Sequence, residues 1–161
     1  MASHYCPRGR TDLGLTYYIF SVVNRFLFEL DPDRMKELFL AIIEEALTVK
    51  GFKCIMSNHF HFLITPPEGQ SLSEILKWIK MVFAIRWNKM NHKTGHFWRD
   101  KFYSRVITDE QDFWNVYNYI DQNPVKAGLV KEPREWKYSG AYHREHRITK
   151  IISFVDDTIL K

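Results

Sequence analysis

Residues 54–64 read CIMSNHFHFLI and place two imidazoles, His59 and His61, one residue apart in an otherwise apolar run. Side chains alternate faces along a strand, so residues i and i+2 project the same way. His59 and His61 therefore stand side by side, with Phe60, Phe62 and Ile64 on the opposite face. A single histidine in a strand is usually a satisfied core or surface residue, and a purely structural role remains open for the pair. The chemical alternative is that two parallel imidazoles share one metal ion, which then needs further ligands from elsewhere in the chain.

A second constellation lies in residues 112–124, DFWNVYNYIDQNP. Phe113, Val116, Tyr117 and Ile120 recur at i, i+3, i+4 and i+7, which makes them the core stripe of a helix. At about 100° per residue, Tyr119 falls on the flank of that stripe, where its hydroxyl can reach out of the core. Asn123 is one turn further on the same flank. Tyr119 and Asn123 thus form a pair, while Tyr117 packs inside. A phenol, an amide oxygen and two imidazoles converge if this helix lies across the histidine strand.

The elements that must position these groups follow from hydrophobic patterning. Leu15–Val23, rich in β-branched and aromatic residues, reads as the first strand. Asp31-Pro32 offers an N-cap and a first helical proline ahead of a stripe of Met35, Leu38, Phe39, Ile42, Ile43, Ala46 and Leu47, with Gly51 marking the helix end. Phe52–Met56 and His59–Thr65 follow as strand, with a turn or bulge at Ser57-Asn58. Ser71 and Glu74 read as a capping box for a second helix reaching about Met90. Lys101–Ile107 alternates as a half-buried strand does, and Thr108 or Asp109 caps a third helix that Pro124 stops. Gly128 and the residues after it read as a short helix and a loop. The order β-α-β-β-α-β-α predicts an α+β fold: a ferredoxin-like sandwich with a roughly four-stranded antiparallel sheet, helices packed on it, and the tyrosine-bearing helix after it.

Composition bounds the function. The 161 residues, with 45% hydrophobic and 16% aromatic content, suit one packed domain. The expected division is a single domain over 1–142 and a basic, then apolar, tail over 143–161. Cys6 and Cys54 stand in dissimilar contexts, neither a disulfide framework nor a zinc motif, which points to a reduced, cytosolic compartment. Nothing approaches a membrane span, and MASHYCPRGR lacks the apolar core of a signal peptide. Net charge is only +4, but it is unevenly distributed. From Lys77 to Arg105 come Lys77, Lys80, Arg86, Lys89, Lys93, Arg99, Lys101 and Arg105, against the single acid Asp100. Interleaved with Trp78, Trp87, Phe97, Trp98, Phe102 and Tyr103, this tract suits the backbone and unpaired bases of single-stranded DNA. His92 with His96, and His143 with His146, read as exposed, solvated histidines rather than metal sites.

Three blocks in order, NHFHFLI, GHFWRDKFYSRVI and YIDQNPVKAGLV, resemble the single-tyrosine HUH transposases, and within them the REP-associated tyrosine transposases. The resemblance runs from about Leu15 to Tyr142. It implies that His59 and His61 are metal ligands, that Asn123 is the third, and that Tyr119 is the nucleophile. Ser57 stands where a proline is commoner in the family, a difference that bears on turn rigidity. The resemblance further implies a divalent Mg²⁺ or Mn²⁺, a hairpin-bearing single-stranded DNA substrate, and cleavage through a 5′-phosphotyrosine. Imidazoles alone suggest zinc, iron or copper; of the implied pair, Mn²⁺ is the easier fit. Either a monomer or a homodimer is compatible with the resemblance. Two rival readings are a nucleic-acid-binding regulator that keeps the fold without cutting, and a small zinc hydrolase. The latter lacks an acidic general base near the histidines, since Glu68 follows two prolines and Asp121 points off the Tyr119 flank.

Overall fold

Strand β1, Tyr17–Val22, is the pivot of the fold because both of its edges are paired. A computed structural model of the chain describes residues 14–46, 51–99 and 101–148. Strand β2 (Gly51–Ile55) and β3 (His59–Ile64) form a hairpin, and β4 (Tyr103–Val106) closes a four-stranded antiparallel sheet in the order β2-β3-β1-β4. Helix α1 (Asp33–Glu45) joins β1 to β2, α2 (Leu72–Met90) joins β3 to β4, and α3 (Glu110–Lys126) follows β4. This is the expected ferredoxin-like α+β sandwich.

The register decides what each face carries. Phe20 lies opposite His61, Val22 opposite His59, and Tyr18 opposite Leu63. Opposed residues share a face, so Tyr17, Ile19, Phe60, Phe62 and Ile64 turn to the other side. There they pack with Met35, Phe39, Ile42 and Ile43 of α1 and Leu76, Ile79, Phe83 and Trp87 of α2. Burying each such side chain contributes roughly 1.5–3 kcal/mol. The second face carries a smaller core, in which Cys54, Met56 and Leu63 meet Phe113, Val116, Tyr117 and Ile120 of α3. The edge of β2 is covered by the segment after α3. Ile55 N–H donates to Tyr138 O at 3.0 Å, and Trp136 Nε1–H donates to Ile55 O at 2.9 Å. Covering an edge strand in this way removes a site of strand-to-strand association.

Several boundaries differ from the expectation. Pro32, not Asp31, is the residue preceding α1, and the Asp31 carboxylate instead accepts from Ser57 Oγ at 2.7 Å. The Ser57 hydroxyl thereby ties the β2–β3 turn to the start of α1. Helix α1 ends at Glu45 and Gly51 opens β2, while Leu47 lies outside the described residues. Ser71 precedes α2 without a side-chain cap. Strand β4 is shorter than expected.

Pro124 does not stop α3; it lies buried inside it. The helix ends two residues later in a Schellman motif, with Gly128 N–H donating to Val125 O at 2.9 Å and Leu129 N–H to Pro124 O at 3.0 Å. Gly128 adopts a φ of 71°, a conformation that a side chain disfavours. Asp109 is the N-cap, accepting from Asp112 N–H at 2.8 Å. The expected boundary at 142/143 falls inside a short helix, α4 (Gly140–Glu145), and residues 149–161 lie outside the described residues. His143, read as exposed, is buried in α4, where desolvation pushes its imidazole down to about 4.

Candidate active site

The floor of the site is the α3-facing side of β1 and β3. His59 and His61 lie there with ring centroids 4.8 Å apart at 85°. Phe20, on the neighbouring strand, lies 5.4 Å from His59 and 5.1 Å from His61, so an aromatic wall backs both rings. His61 is 1% exposed. Burial, helped by the nearby His59, depresses its pKa to about 3, and burial also lowers that of His59. Both rings are therefore neutral at physiological pH, the state in which an imidazole can ligate a metal.

The hydrogen bonds of the two rings sort their nitrogens. His59 Nδ1–H donates to Asn58 Oδ1 at 2.6 Å. The orientation of that amide follows from its other end, where Asn58 Nδ2 donates to the Phe26 carbonyl at 3.4 Å. His61 Nδ1 meets the Tyr18 hydroxyl at 2.9 Å. Both Nδ1 atoms thus have outer partners, while His61 Nε2 is buried without a hydrogen bond among the described residues. An orphaned buried nitrogen costs about 1–3 kcal/mol unless something pairs with it. Metal-bound histidines have this same arrangement, the far nitrogen anchored by an outer group and the near one left to the ion.

Helix α3 supplies the rest. Its core stripe of Phe113, Val116, Tyr117 and Ile120 seats it on β2 and β3, which rotates Tyr119 toward β1. The Tyr119 ring lies edge-on to His61 at 5.6 Å and to Tyr18 at 6.3 Å, and 44% of the residue stays exposed. Tyr117 is buried. Asn123, one turn on, is close enough to both imidazoles to favour their protonated forms, partly opposing burial. The Tyr18 hydroxyl also faces the Tyr119 phenol, and desolvation with that neighbour pushes Tyr18 well above the ordinary phenol range. Tyr18 therefore keeps its proton. It can accept from His61 Nδ1–H and donate toward the Tyr119 oxygen at the same time. All of this is assembled within one chain.

The donor set fits a divalent ion. Two neutral imidazole nitrogens and an amide oxygen would offer such an ion a mixed donor set, one that suits Mn²⁺ better than Mg²⁺. No group of three or more His, Cys, Asp or Glu that could hold a metal ion occurs among the described residues, so a protein triad at this site would have to include the Asn123 amide. Asp121 lies on the opposite side of α3, where its carboxylate accepts from Arg144 at 2.9 Å and burial raises it to about 7.

The basic tract is divided by the fold. Helix α2 packs on the sheet face opposite the histidines, so Lys77, Lys80, Arg86 and Lys89 are remote from the site. Lys80 is buried with its ammonium 5.5 Å over Trp98, and Arg86 is held by both oxygens of Glu45 at 2.7 and 2.8 Å. Arg105 projects from the site face of β4, clamped by Asp112 at 2.7 and 2.8 Å and lying over the Tyr18 ring. Arg99 and Lys101 are exposed on the connection between α2 and β4. Sequence reasoning missed Tyr18, Phe20 and Asn58. Tyr18 and Phe20 alternate onto one face of β1, but their meeting with His61 needs the β1–β3 register. Asn58 directly precedes His59 and along the chain reads only as turn.

The family model described as transposase IS200-like matches residues 18–123, which include every residue of this constellation. The chain is 28% identical over 97 residues to the REP-associated tyrosine transposase of Escherichia coli K12, covering 56% of this chain and 52% of that one. It is 29% identical over 102 residues to a Haemophilus influenzae protein assigned to the same group, covering 57% of each. The chain thus spans about half the length of the curated relatives it matches. In fold it is similar to a solved REP-associated tyrosine transposase bound to a REP hairpin, with a TM-score of 0.69 over 89% of this chain and 86% of that one, at 22% identity. With the family model matching well over half of its length, the chain belongs to the IS200-like transposase family.

Proposed function

We propose that the chain is a metal-dependent, single-strand DNA endonuclease and strand transferase that works at hairpin-bearing DNA through a 5′-phosphotyrosine on Tyr119. The observation that carries this reading is the exposed Tyr119 phenol beside the buried His61 ring, whose Nδ1 is anchored and whose Nε2 is unpaired. Family membership supports it, as does the hairpin bound to the structural relative.

In the proposed reaction, the Tyr119 oxygen attacks the scissile phosphorus and loses its proton. The bond from phosphorus to the 3′-oxygen breaks, that oxygen takes up a proton, and a free 3′-hydroxyl is released. The strand's 5′-phosphate is left esterified to Tyr119. Because one phosphodiester replaces another, a second 3′-hydroxyl can attack the phosphotyrosine and reseal DNA. That reversibility is the logic of strand transfer. The Tyr18 hydroxyl, facing the Tyr119 phenol, would orient the Tyr119 oxygen, and orientation of a nucleophile is a large part of such catalysis. His59, His61 and Asn123 would hold Mn²⁺ or Mg²⁺, which supplies Lewis-acid polarisation of the phosphate when bound. A DNA substrate also fits the cytosolic compartment expected from the cysteines; among the described residues no helix is long and apolar enough to cross a membrane.

Incubation with a hairpin-bearing single strand and Mn²⁺, followed by denaturing electrophoresis, tests the proposal. A covalent protein–DNA adduct is expected that vanishes in Tyr119→Phe and persists in Tyr117→Phe. An adduct that survives loss of Tyr119 would remove it as nucleophile. Tight binding with no adduct under any divalent ion would favour the regulator that binds without cutting.

A further inference from the structure

The connection between β1 and α1 holds an unusual combination of strain and exposure. Arg25 (φ 54°, ψ 20°) and Phe26 (φ 55°) are consecutive left-handed residues, and neither is glycine. Such conformations cost on the order of 1–3 kcal/mol each and persist only where the surroundings enforce them. Here they are enforced from both sides. Asn24 N–H donates to Phe97 O at 2.7 Å, Asn24 Nδ2 to His96 O at 3.2 Å, and Leu30 N–H to Ser57 O at 3.0 Å.

The conformation so maintained displays apolar groups rather than hiding them. Phe26 is 53% exposed and Phe28 66%, with Leu27 between them also exposed. Single exposed hydrophobes need no explanation, but three in succession on a rigid, strained tip form a surface. Its surroundings are cationic. The Arg99 guanidinium lies 4.5 Å over the Phe26 ring, and Arg25 is exposed at the tip. The tip also adjoins the proposed metal site, because Asn58 donates to the Phe26 carbonyl with one end of its amide and accepts from His59 Nδ1–H with the other.

We infer that the Arg25–Phe28 tip is a stacking platform for unpaired bases of the DNA strand, next to the point of cleavage. Flat apolar rings flanked by guanidinium groups match the two faces of a single strand, its bases and its phosphates. The Asn58 bridge sets the platform at a fixed distance from His59, so a base stacked there registers the strand against the site. This inference rests on the reading of the protein as a single-strand DNA transposase.

The test measures binding in the Tyr119→Phe background, which blocks covalent capture. Fluorescence anisotropy compares a hairpin carrying a single-stranded flank with the same hairpin ending flush. Phe28→Ala and Phe26→Ala are expected to weaken binding of the flanked hairpin about 10-fold, as stacking of one base on an aromatic ring predicts. Binding of the flush hairpin is expected to be unchanged, with melting temperatures near that of the parent. Equal affinity of parent and variants for the flanked hairpin overturns the platform and leaves the transposase reading intact. Equal losses on both hairpins also overturn it. A parent that binds neither hairpin overturns the transposase reading and the platform together. Sedimentation that shows a dimer dissociating in Phe28→Ala would reassign the patch to self-association.

Discussion

Replacing Tyr18 by phenylalanine removes one oxygen and leaves the ring that packs beside His61, 5.9 Å away between centroids. The lost atom lies 2.9 Å from His61 Nδ1, in surroundings that leave the histidine 1% exposed. Without it, water cannot readily take its place, and the Nδ1–H that the liganding tautomer requires has nowhere to donate. The metal-free protein can move the proton to Nε2, which lessens its own loss but puts hydrogen where the proposed ion would bind. The cost therefore falls mainly on the bound state. Leaving one buried donor unpaired costs roughly 1–3 kcal/mol, and removal of an outer partner of a metal-bound histidine weakens metal affinity about 10–100-fold. Titration of the protein with Mn²⁺, following the free ion by electron paramagnetic resonance, is expected to show a loss in that range. Denaturant melting of the metal-free variant should shift by about 1 kcal/mol or less, the tautomer change having absorbed the rest. An unchanged Mn²⁺ dissociation constant in a folded Tyr18→Phe protein would refute the assignment of Nδ1 as the anchored nitrogen and Nε2 as the ligand.

Lys53 is 2% exposed and its ammonium has no hydrogen-bond partner among the described residues; burial depresses its pKa from 10.5 to about 7. Below pH 7 it is charged in both the folded and unfolded states and its burial cost is present in full. Between pH 7 and 10.5 the unfolded chain binds the extra proton, so stability rises with pH, by up to about 1.4 kcal/mol per pH unit. Lys53→Met is expected to stabilise the protein by several kcal/mol at pH 6.5, on the order of 4, and by far less at pH 10. Urea denaturation at the two pH values checks this, and an equal gain at both would contradict it. Gly128→Ala meets no atom within 4 Å but keeps a φ of 71°, so its cost is conformational alone, about 1 kcal/mol in thermal melts. A stabilised variant would contradict Gly128 as the helix terminator.

Local patterning carried much of the fold. The stripe from Met35 to Ile43, the stripe of α2, and the alternation of β1 and β3 each depend on neighbours three, four or two residues away, so they are legible along the chain. The same is true of the shared face of His59 and His61 and of Tyr119 lying off the Tyr117 stripe. Boundaries were less legible because they depend on competing local partners. Asp31 is drawn from its capping role by Ser57, and Pro124 is carried through α3 because Gly128 supplies the stop beyond it. His143 looked solvated in a polar segment, yet α4 folds it inward.

What the sequence by itself determined is therefore the order of the elements, the face each side chain takes within its own element, and the three motifs of a transposase family. Only the tertiary structure decided which faces meet. The β1–β3 register sets Phe20 opposite His61 and brings the Tyr18 hydroxyl to His61 Nδ1. The seating of α2 on the opposite side of the sheet breaks a basic tract that is continuous along the chain. The physical reason is the same in each case. Periodicity follows from bond geometry within a segment, whereas the approach of two segments is chosen by the packing of the whole core, which no short stretch of residues contains.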